Sequence, residues 1–393
     1  MKIVFFSTPV YSHINSFFPV VTLLTNRGDD VYFITGKKYR GFANLTKSIF
    51  VGYPDEFSDV SFSREAVNLF FIYEKMLKHY EKLIEFSLDL LSVVRPDYII
   101  HDSLAGFAKT AARQSGIPAI NVITTLAVSP LVVLFNPAIC LWGIKSFLSA
   151  PAVACDIFSL CGNLERKYIL KKSPLVDLFI NRENLNIVMT PKKIQPFGGT
   201  FGHSFFFARP TIDERMQKRI SANIDNEEAD KNKRPLIYVS LGSTISSDKV
   251  VKGLTDVLIH KNADVIFSGA DNENKFKNIA YFHFVNQLEI LQKADLFINH
   301  GGLNSIYEAI WFKAPQICIP LCPEMAVNAK LVKKSKCGFV LKKFNKKLLS
   351  KMIDNILGKK GGFSFEIAGE FYKAQDIDKL VTRIDNYIGT YYG

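Results

Sequence analysis

The sequence predicts an α/β protein of two domains, each built on a parallel β-sheet. The chain has 393 residues, which is more than one hydrophobic core usually supports. Apolar residues make up 48% of the chain and charged residues 22%, a composition typical of a globular protein. Short apolar runs alternate with longer segments of helical period, as expected of parallel strands joined by helices.

The alternating segments form two series along the chain. The first series opens at Lys2–Ser7 and returns at Asp30–Thr35, Asp97–His101 and Ala119–Ile123, with a long amphipathic segment at Arg64–Val94. The second series opens with PLIYVSLGS and repeats in the runs DVIFSG, YFHFVN, DLFINH and QICIPL. Each run is followed by a stretch of helical period, so both series predict repeated strand and helix units.

The segment between the two series predicts the domain boundary. Residues 223–234 read NIDNEEADKNKR and are nearly free of apolar side chains. We therefore expect an exposed linker or boundary segment there, with an N-terminal domain at 1–222 and a C-terminal domain at 235–370. The helical period of the last residues predicts a helix within 371–393 that packs back toward the N-terminal domain.

Charge and cysteine content narrow the function classes. The formal net charge is +12, but the basic residues are spread along the chain and are not interleaved with aromatic ones, so no nucleic-acid binding is predicted. The charge balance favours anionic ligands in general. The six cysteines have no zinc-binding spacing and predict reduced thiols in a cytoplasmic protein. The first residues read as a strand and not as a signal peptide.

The apolar block Thr124–Leu160 leaves three interpretations open. Its prolines predict irregular structure. The longest charge-free stretch, Gln114–Ile144, is interrupted by prolines and asparagines, so no membrane-spanning helix is predicted there. The block is ordinary core, the lining or lid of a pocket for an apolar small molecule, or a membrane-surface contact.

The stretch Asp295–Ile310, DLFINHGGLNSIYEAI, has the pattern of a phosphate site. A strand is predicted to end at Asn299 and a helix to begin near Asn304. Backbone amides and the dipole at the start of a helix stabilise a diphosphate. Gly301 and Gly302 allow a tight turn and a close approach of a ligand to the backbone.

Side chains around the same turn add polar groups. His300, Asn304 and Ser305 supply hydrogen-bond donors, and Glu308 lies one helical turn beyond Asn304. By spacing alone, Glu308 either accepts hydrogen bonds from two vicinal ribose hydroxyls or is a solvated carboxylate.

Residues 284–332, FVNQLEILQKADLFINHGGLNSIYEAIWFKAPQICIPLCPEMAVNAKLV, resemble the donor-binding signature of the UDP-glycosyltransferase family, especially its bacterial macrolide-glycosyltransferase branch. The resemblance extends over nearly the whole chain, through MKIVFFSTPVYSHINSFFPVVTLL, PDYIIHDSLAGFAKTAARQSGIPAI, LNIVMTPKKIQPF and RPLIYVSLGST. It implies the GT-B fold, in which two Rossmann-like domains face each other across a cleft.

The resemblance also implies donor-binding roles by position. His300 would bind the β-phosphate of the donor and Glu308 its ribose, while Val285 and Gln287 would receive the base and the ribose. The residues implied to bind the donor are Gly242, Ser243, Val285, Gln287, His300, Gly302, Asn304, Ser305, Glu308 and Glu324.

The sugar end of the implied site departs from the family pattern. Glu324 matches an acidic position that hydrogen-bonds sugar hydroxyls, but Met325 follows it where the family usually has Gln. Asn286 stands where Pro is usual. The identity of the transferred sugar therefore stays open, as does the choice between a UDP and a dTDP donor.

His13 and Asp102 are the candidate catalytic pair. An attacking hydroxyl must lose its proton, and a histidine serves this purpose well near neutral pH. A carboxylate at the neighbouring strand end fixes the imidazole tautomer and stabilises the cation that forms. The segments SHINS and HDS resemble the family's catalytic turn and strand end, with Ser12 for Gly and Ser16 for Pro. Strand alternation points His101 to the opposite face, so we treat it as structural.

Together with the candidate pair, the resemblance implies an inverting, metal-independent glycosyltransferase that needs no cofactor. It would move a hexose from a UDP-sugar or dTDP-sugar to a hydroxyl of an apolar acceptor such as a macrolide, polyketide or phenolic. No DxD motif lies near the donor signature, and the first turn lacks the GxGxxG of nicotinamide enzymes. The alternatives are a lipid-directed transferase at a membrane surface, a nucleotide-sugar epimerase or hydrolase, and an inactive nucleotide-sugar-binding homologue.

Overall fold

The chain folds into two compact units in the computed structural model. The N-terminal unit contains the described residues of Met1–Ser61, Asn68–Thr211 and Lys373–Gly393, and the C-terminal unit those of Ile212–Tyr372. The expected boundary segment lies outside the described residues except for Arg234. The structure describes residues 1–57, 68–170, 173–209, 212, 234–242, 248–269, 276–358, 362–373 and 378–392.

A parallel sheet forms the centre of the N-terminal unit. Its strands in the described residues are β1 (Lys2–Phe6), β2 (Asp30–Thr35), β3 (Ile49–Gly52), β4 (Tyr98–Asp102), β5 (Ala119–Ile123), β6 (Leu185–Val188) and β7 (Phe205–Phe207). They pair in parallel in the order β3-β2-β1-β4-β5-β6-β7. Every residue of β4 and β5 is buried, as expected of central strands covered on both faces, and most of their residues are apolar.

Helices connect these strands and cover the sheet. They are α1 (Tyr11–Asn26), α2 (Arg40–Thr46), α3 (Leu69–Leu77), α4 (Tyr80–Val94), α5 (Gly106–Ser115), α6 (Pro130–Leu134), α7 (Pro137–Ser149), α8 (Pro151–Lys167) and α9 (Pro174–Phe179). The long amphipathic segment predicted before β4 therefore forms two helices in its described part. A further helix, Asp378–Tyr392, also lies in this unit.

The prediction of irregular structure for Thr124–Leu160 is wrong, because most of this block is helical. Pro130, Pro137 and Pro151 each occupy the first position of a helix. Proline is favoured there, since the missing N–H has no partner within the helix and the fixed φ suits the first turn. No single helix among the described residues is long and apolar enough to span a membrane, although α7 and α8 pass that test together with a bend of 103° between them.

The C-terminal unit has a second parallel sheet. In the described residues its strands are β8 (Leu236–Ser240), β9 (Asp264–Ser268), β10 (Ile279–Phe282), β11 (Leu296–Asn299), β12 (Gln316–Cys318) and β13 (Gly338–Val340). They pair in parallel in the order β10-β9-β8-β11-β12-β13. The prediction of an α/β protein with two parallel-sheet domains is therefore confirmed.

Helices of the C-terminal unit alternate with its strands. They are α10 (Asp248–Leu258), α11 (Gln287–Leu291), α12 (Leu303–Trp311), α13 (Pro323–Lys334), α14 (Lys346–Leu357) and α15 (Ala368–Lys373), and the helix Asp378–Tyr392 of the other unit is α16. A core of aliphatic side chains from the strands, α10 and α14 supports the sheet.

Both sheets share one topological feature. The strand order reverses between β1 and β4 in the N-terminal sheet and between β8 and β11 in the C-terminal sheet. Open parallel sheets bind ligands outside the carboxyl ends of the two strands at such a point, because the following loops diverge there and leave a crevice. The residues that follow these four strands are therefore the first candidates for a functional site.

Candidate active site

The two proposed catalytic residues lie at the reversal point of the N-terminal sheet. Helix α1 begins at Tyr11 after β1, so His13 lies in its first turn, and Asp102 is the last residue of the neighbouring strand β4. The Nδ1 atom of His13 is 2.8 Å from Oδ2 of Asp102. Thr124, which follows β5, places its Oγ1 atom 3.0 Å from the same nitrogen. Three strand ends thus contribute to one cluster.

Asp102 is held as an ionised carboxylate. Its side chain is fully buried, and it accepts hydrogen bonds from the backbone N–H of Thr8 and Leu104 and from Oγ of Ser103, each at 3.2 Å. Burial raises the pKa of Asp102, but the charge of His13 and the hydrogen bonds from His13, Thr8 and Leu104 outweigh it and hold the pKa below its ordinary value. The carboxylate is therefore charged at neutral pH and can orient the imidazole.

His101 takes no part in this cluster. It is fully buried, its Nδ1 lies 3.0 Å from the carbonyl oxygen of Asp102, and its Nε2 lies 3.5 Å from Oε1 of Glu183. These contacts agree with strand alternation, which directs His101 and Asp102 to opposite faces of the sheet.

The glycine turn at the reversal point of the C-terminal sheet is fixed from two sides. It joins Asn299, the end of β11, to helix α12, which begins at Leu303. Oδ1 of Asn299 accepts the backbone N–H of Gly301 at 2.8 Å, and Nδ2 of Asn328 donates to the carbonyl of Gly301 at 3.2 Å. Gly301 has a φ of +90°, which only glycine adopts without strain.

His300 is enclosed by two glycines of this unit. A Cβ added at Gly242 would lie 2.5 Å from Cε1 of His300, and one added at Gly302 would lie 3.0 Å from Nε2. A side chain at Gly242 would therefore displace the ring, whereas one at Gly302 would shift it by only a few tenths of an ångström. Gly242 also has a φ of +76°, a second reason for glycine after β8.

Burial keeps His300 neutral. It lowers the pKa of the imidazole from 6.5 to about 4, and the backbone of Ser240 opposes this shift only in part. The Nδ1 atom is buried and makes no hydrogen bond with the described residues. A buried polar atom without a partner is costly, and such atoms cluster at functional sites.

The buried state of His300 predicts a loss of stability on acidification. The unfolded chain takes up this proton near pH 6.5 and the folded chain only near pH 4, so the free energy of unfolding falls as the pH drops through that range. His300→Gln should therefore reduce the loss by about 3 kcal/mol in urea unfolding between pH 7 and pH 4. The exposed His260, changed to Gln, is the control. Equal pH dependence of the His300 variant and the unchanged protein would contradict the prediction.

A polar network lies beside the glycine turn. Gln287, the first residue of α11, donates from Nε2 to Oε2 of Glu308 and, at 3.3 Å, to Oγ of Ser305. Its Oε1 accepts from the hydroxyl of Tyr238 at 3.1 Å. Glu308 is only 4% exposed, so its interpretation as a solvated carboxylate is wrong.

The remaining predicted residues have different positions. Val285 packs against an apolar cluster, and Ser243 lies outside the described residues. Asn304 lies in the first turn of α12, and Glu324 is exposed in the first turn of α13. The residue after it, Met325, is buried, and a Cβ at Gly301 would lie 2.9 Å from its carbonyl oxygen.

Several residues of both clusters were not singled out from the sequence. Thr124 and Thr8 each follow a strand of the sheet that carries Asp102, so the strand-end rule alone could have indicated them. No pattern in the sequence indicates Tyr238, which lies within a strand, or Asn328, which lies on a helix. In the part of the chain that the structure describes, no group of three or more His, Cys, Asp or Glu residues could hold a metal ion.

Comparison with known proteins gives the class of this chain. Residues 257–371 match the glycosyltransferase family 28 C-terminal domain. The solved structure of the glycosyltransferase of kitacinnamycin shares the fold, with a TM-score of 0.75 over 95% of this chain and 93% of that one at 17% identity. The chain is a glycosyltransferase of the GT-B type.

Relatives extend the similarity to nearly the full length. The Bacillus subtilis protein named uncharacterized UDP-glucosyltransferase YdhE is 22% identical over 394 residues, which cover 97% of this chain and 96% of the relative. The NDP-glycosyltransferase YjiC of Bacillus subtilis is 27% identical over 347 residues, covering 85% of this chain and 83% of the relative.

Proposed function

We propose that this chain transfers a hexose from a UDP-sugar, or a dTDP-sugar, to a hydroxyl of an apolar small molecule such as a macrolide, polyketide or phenolic, with inversion at the anomeric carbon. The observation that carries the proposal is the contact of 2.8 Å between Nδ1 of His13 and Oδ2 of Asp102 at the reversal point of the sheet. The names of the full-length relatives support the nucleotide-sugar donor.

His13 acts as the general base in the proposed reaction. With Nδ1 bound to Asp102, Nε2 takes the proton of the acceptor hydroxyl while its oxygen attacks the anomeric carbon. The bond from that carbon to the diphosphate oxygen breaks on the opposite face, and the nucleoside diphosphate leaves with the electron pair. An α-linked donor thus gives a β-glycoside. Asp102 stabilises the imidazolium that forms.

The glycine turn holds the donor diphosphate in this proposal. The first turn of α12 presents backbone amides and the positive end of the helix dipole. A neutral imidazole at His300 can donate one N–H to a phosphate oxygen and needs no prior protonation. Glu308 and Gln287 receive the ribose. We propose that these groups stabilise the leaving diphosphate without a metal ion.

The other predicted donor residues complete the proposed site. Gly302, Asn304 and Ser305 lie at the start of α12, beside the position proposed for the diphosphate. The resemblance implies that Gly242 and Ser243 line the diphosphate from the other side. It also implies that Val285 receives the base and that Glu324 binds sugar hydroxyls. All six cysteines are free thiols, which supports a cytoplasmic protein.

Incubation with nucleotide sugars tests the proposal. UDP-glucose, UDP-N-acetylglucosamine and dTDP-glucose should be combined with phenolic and macrolide alcohols, with and without EDTA. Mass spectrometry should show an acceptor heavier by one sugar residue, in equal yield with EDTA. Consumption of the donor without any glycoside would indicate a hydrolase or epimerase, and absence of donor binding would indicate an inactive homologue.

Asp102→Asn tests the role of the carboxylate. The amide removes the charge that stabilises the imidazolium and can reverse the tautomer of His13, so kcat should fall about 10²-fold to 10⁴-fold. The affinity for UDP should not change, because Asp102 lies in the N-terminal unit. Ser103→Ala removes only one hydrogen bond to Asp102 and should cost less than 10-fold in kcat. Full activity of Asp102→Asn would show that the contact between His13 and Asp102 has no role in the mechanism.

A lipid acceptor is the second candidate, and helix α7 favours it. Leu141, Ile144 and Leu148 lie on one face of this helix and are 54%, 56% and 71% exposed, with the exposed Lys145 beside them. Such a stripe can enter a lipid surface that carries negative charge. Co-flotation with vesicles of phosphatidylglycerol that is lost in Ile144→Asp would support this acceptor class. If the unchanged protein does not float with the vesicles, a small-molecule acceptor is favoured.

A further inference from the structure

Tyr238 is a buried tyrosine whose hydroxyl has a specific partner. It lies in the middle of β8, is 1% exposed, and stacks on Phe297 with ring centroids 5.0 Å apart and an angle of 8° between the rings. Its hydroxyl donates to Oε1 of Gln287 at 3.1 Å. The ring packing fixes the direction of the hydroxyl, because a side chain stacked in a core has little rotational freedom.

The hydrogen bond from Tyr238 anchors the amide of Gln287. With Oε1 bound to the tyrosine hydroxyl, Nε2 points to Oε2 of Glu308 and to Oγ of Ser305. A rotation of the amide by 180° would place Oε1 beside the carboxylate of Glu308, and two acceptors would face each other. The carboxylate therefore sets the amide orientation, and the tyrosine hydroxyl holds the amide in the position from which Gln287 binds that carboxylate.

Glu308 depends on this orientation for its own position. It is 4% exposed, and the N–H group of Gln287 binds one of its two carboxylate oxygens. A carboxylate with fixed oxygens can accept hydrogen bonds from two vicinal hydroxyls at once. A 2′-deoxyribose offers only one of these hydroxyls.

We infer that Tyr238 is a positioning residue that makes the donor site selective for ribonucleotides over 2′-deoxyribonucleotides. The inference rests on the proposed donor site and deepens it, since it favours UDP-sugars over dTDP-sugars. Tyr238 is too buried to contact a nucleotide, so it acts through Gln287 and Glu308. Removal of the Tyr238 hydroxyl should weaken recognition of the 2′-hydroxyl more than binding of the diphosphate.

Calorimetry with UDP and 2′-deoxy-UDP tests this selectivity. These two probes differ only at the 2′ position, whereas dTDP also carries a methyl group on the base. The unchanged protein should bind UDP about 10-fold more tightly than 2′-deoxy-UDP, the ratio expected for one hydrogen bond to a charged group. Tyr238→Phe should weaken the binding of UDP about 10-fold and that of 2′-deoxy-UDP less than 2-fold, so that the ratio of the two affinities approaches one.

Tyr281→Phe is the matched control in the same unit. The hydroxyl of Tyr281 lies 2.7 Å from Oγ1 of Thr255, so this variant also removes one internal hydrogen bond of a tyrosine. It should leave the ratio of the two affinities unchanged. An equal loss for both nucleotides in Tyr238→Phe would reduce Tyr238 to a structural residue and overturn the inference.

A double-mutant cycle tests the route through the amide. In a Gln287→Ala background, Tyr238→Phe should cause no further loss of UDP affinity, because its partner is absent. A loss that persists there would overturn the inference. If the unchanged protein binds neither nucleotide, the proposed function itself fails. If it binds UDP and 2′-deoxy-UDP equally, the donor site stands and only the role of Tyr238 fails.

Discussion

His13→Ala is expected to abolish sugar transfer while UDP still binds. The imidazole is the group proposed to take the acceptor proton, and its removal leaves Asp102 without a base to orient. A positioned general base contributes about 10²-fold to 10⁴-fold to the rate, so kcat should fall by at least that range. Calorimetric affinity for UDP should stay within 2-fold, because the residues proposed to bind the donor lie in the C-terminal unit.

The control for this variant is His203→Ala. His203 is exposed in the same unit and is not part of the cluster around Asp102. Its replacement should leave both kcat and UDP affinity unchanged. Transfer by His13→Ala at the rate of the unchanged protein would eliminate the proposed mechanism, whereas a joint loss of transfer and UDP binding would indicate misfolding.

Gly242→Ala should have the largest effect on donor binding. The added Cβ would lie 2.5 Å from Cε1 of His300, closer than atoms of the two groups can approach, so the ring must move. With the ring displaced from the glycine turn, UDP affinity should fall more than 10-fold, the cost of losing one hydrogen bond to a charged group. Calorimetry at pH 7 measures this loss.

Gly116→Ala separates the steric clash from backbone strain. Gly116 also has a positive φ, +66°, but a Cβ there meets no atom within 4 Å. This control should lose about 1 kcal/mol of stability and keep its affinity for UDP. UDP affinity in Gly242→Ala equal to that of the unchanged protein would mean that the position of His300 does not determine donor binding.

The strand-end pattern of the sequence accounts for most of the predicted site. Parallel strands end at one edge, so the residues after β1 and β4 were expected together, and the structure places His13 beside Asp102. The same rule brought His300 and Gly242 to one edge of the second sheet. Such residues are predictable because strand ends can be read from apolar periodicity and glycines.

Other features could not be read from periodicity. A proline can break a helix or begin one, and the difference depends on the backbone conformation of the residue before it, which is not helical before Pro130, Pro137 and Pro151. The burial of Glu308 depends on packing between segments distant in the chain. The contact between Tyr238 and Gln287 crosses 49 positions and follows no local pattern.

Helix α16 has a consequence for synthesis of the chain. Leu380, Ile384 and Ile388 are at most 5% exposed in the core that also contains residues of β1, β4 and α1. Each such side chain contributes about 2 kcal/mol when it leaves water. The ribosome makes this helix after both sheets, so the unit that is translated first must wait until the helix has been made before its hydrophobic interior is closed. Until then, an apolar sheet surface is open to chaperones and to aggregation.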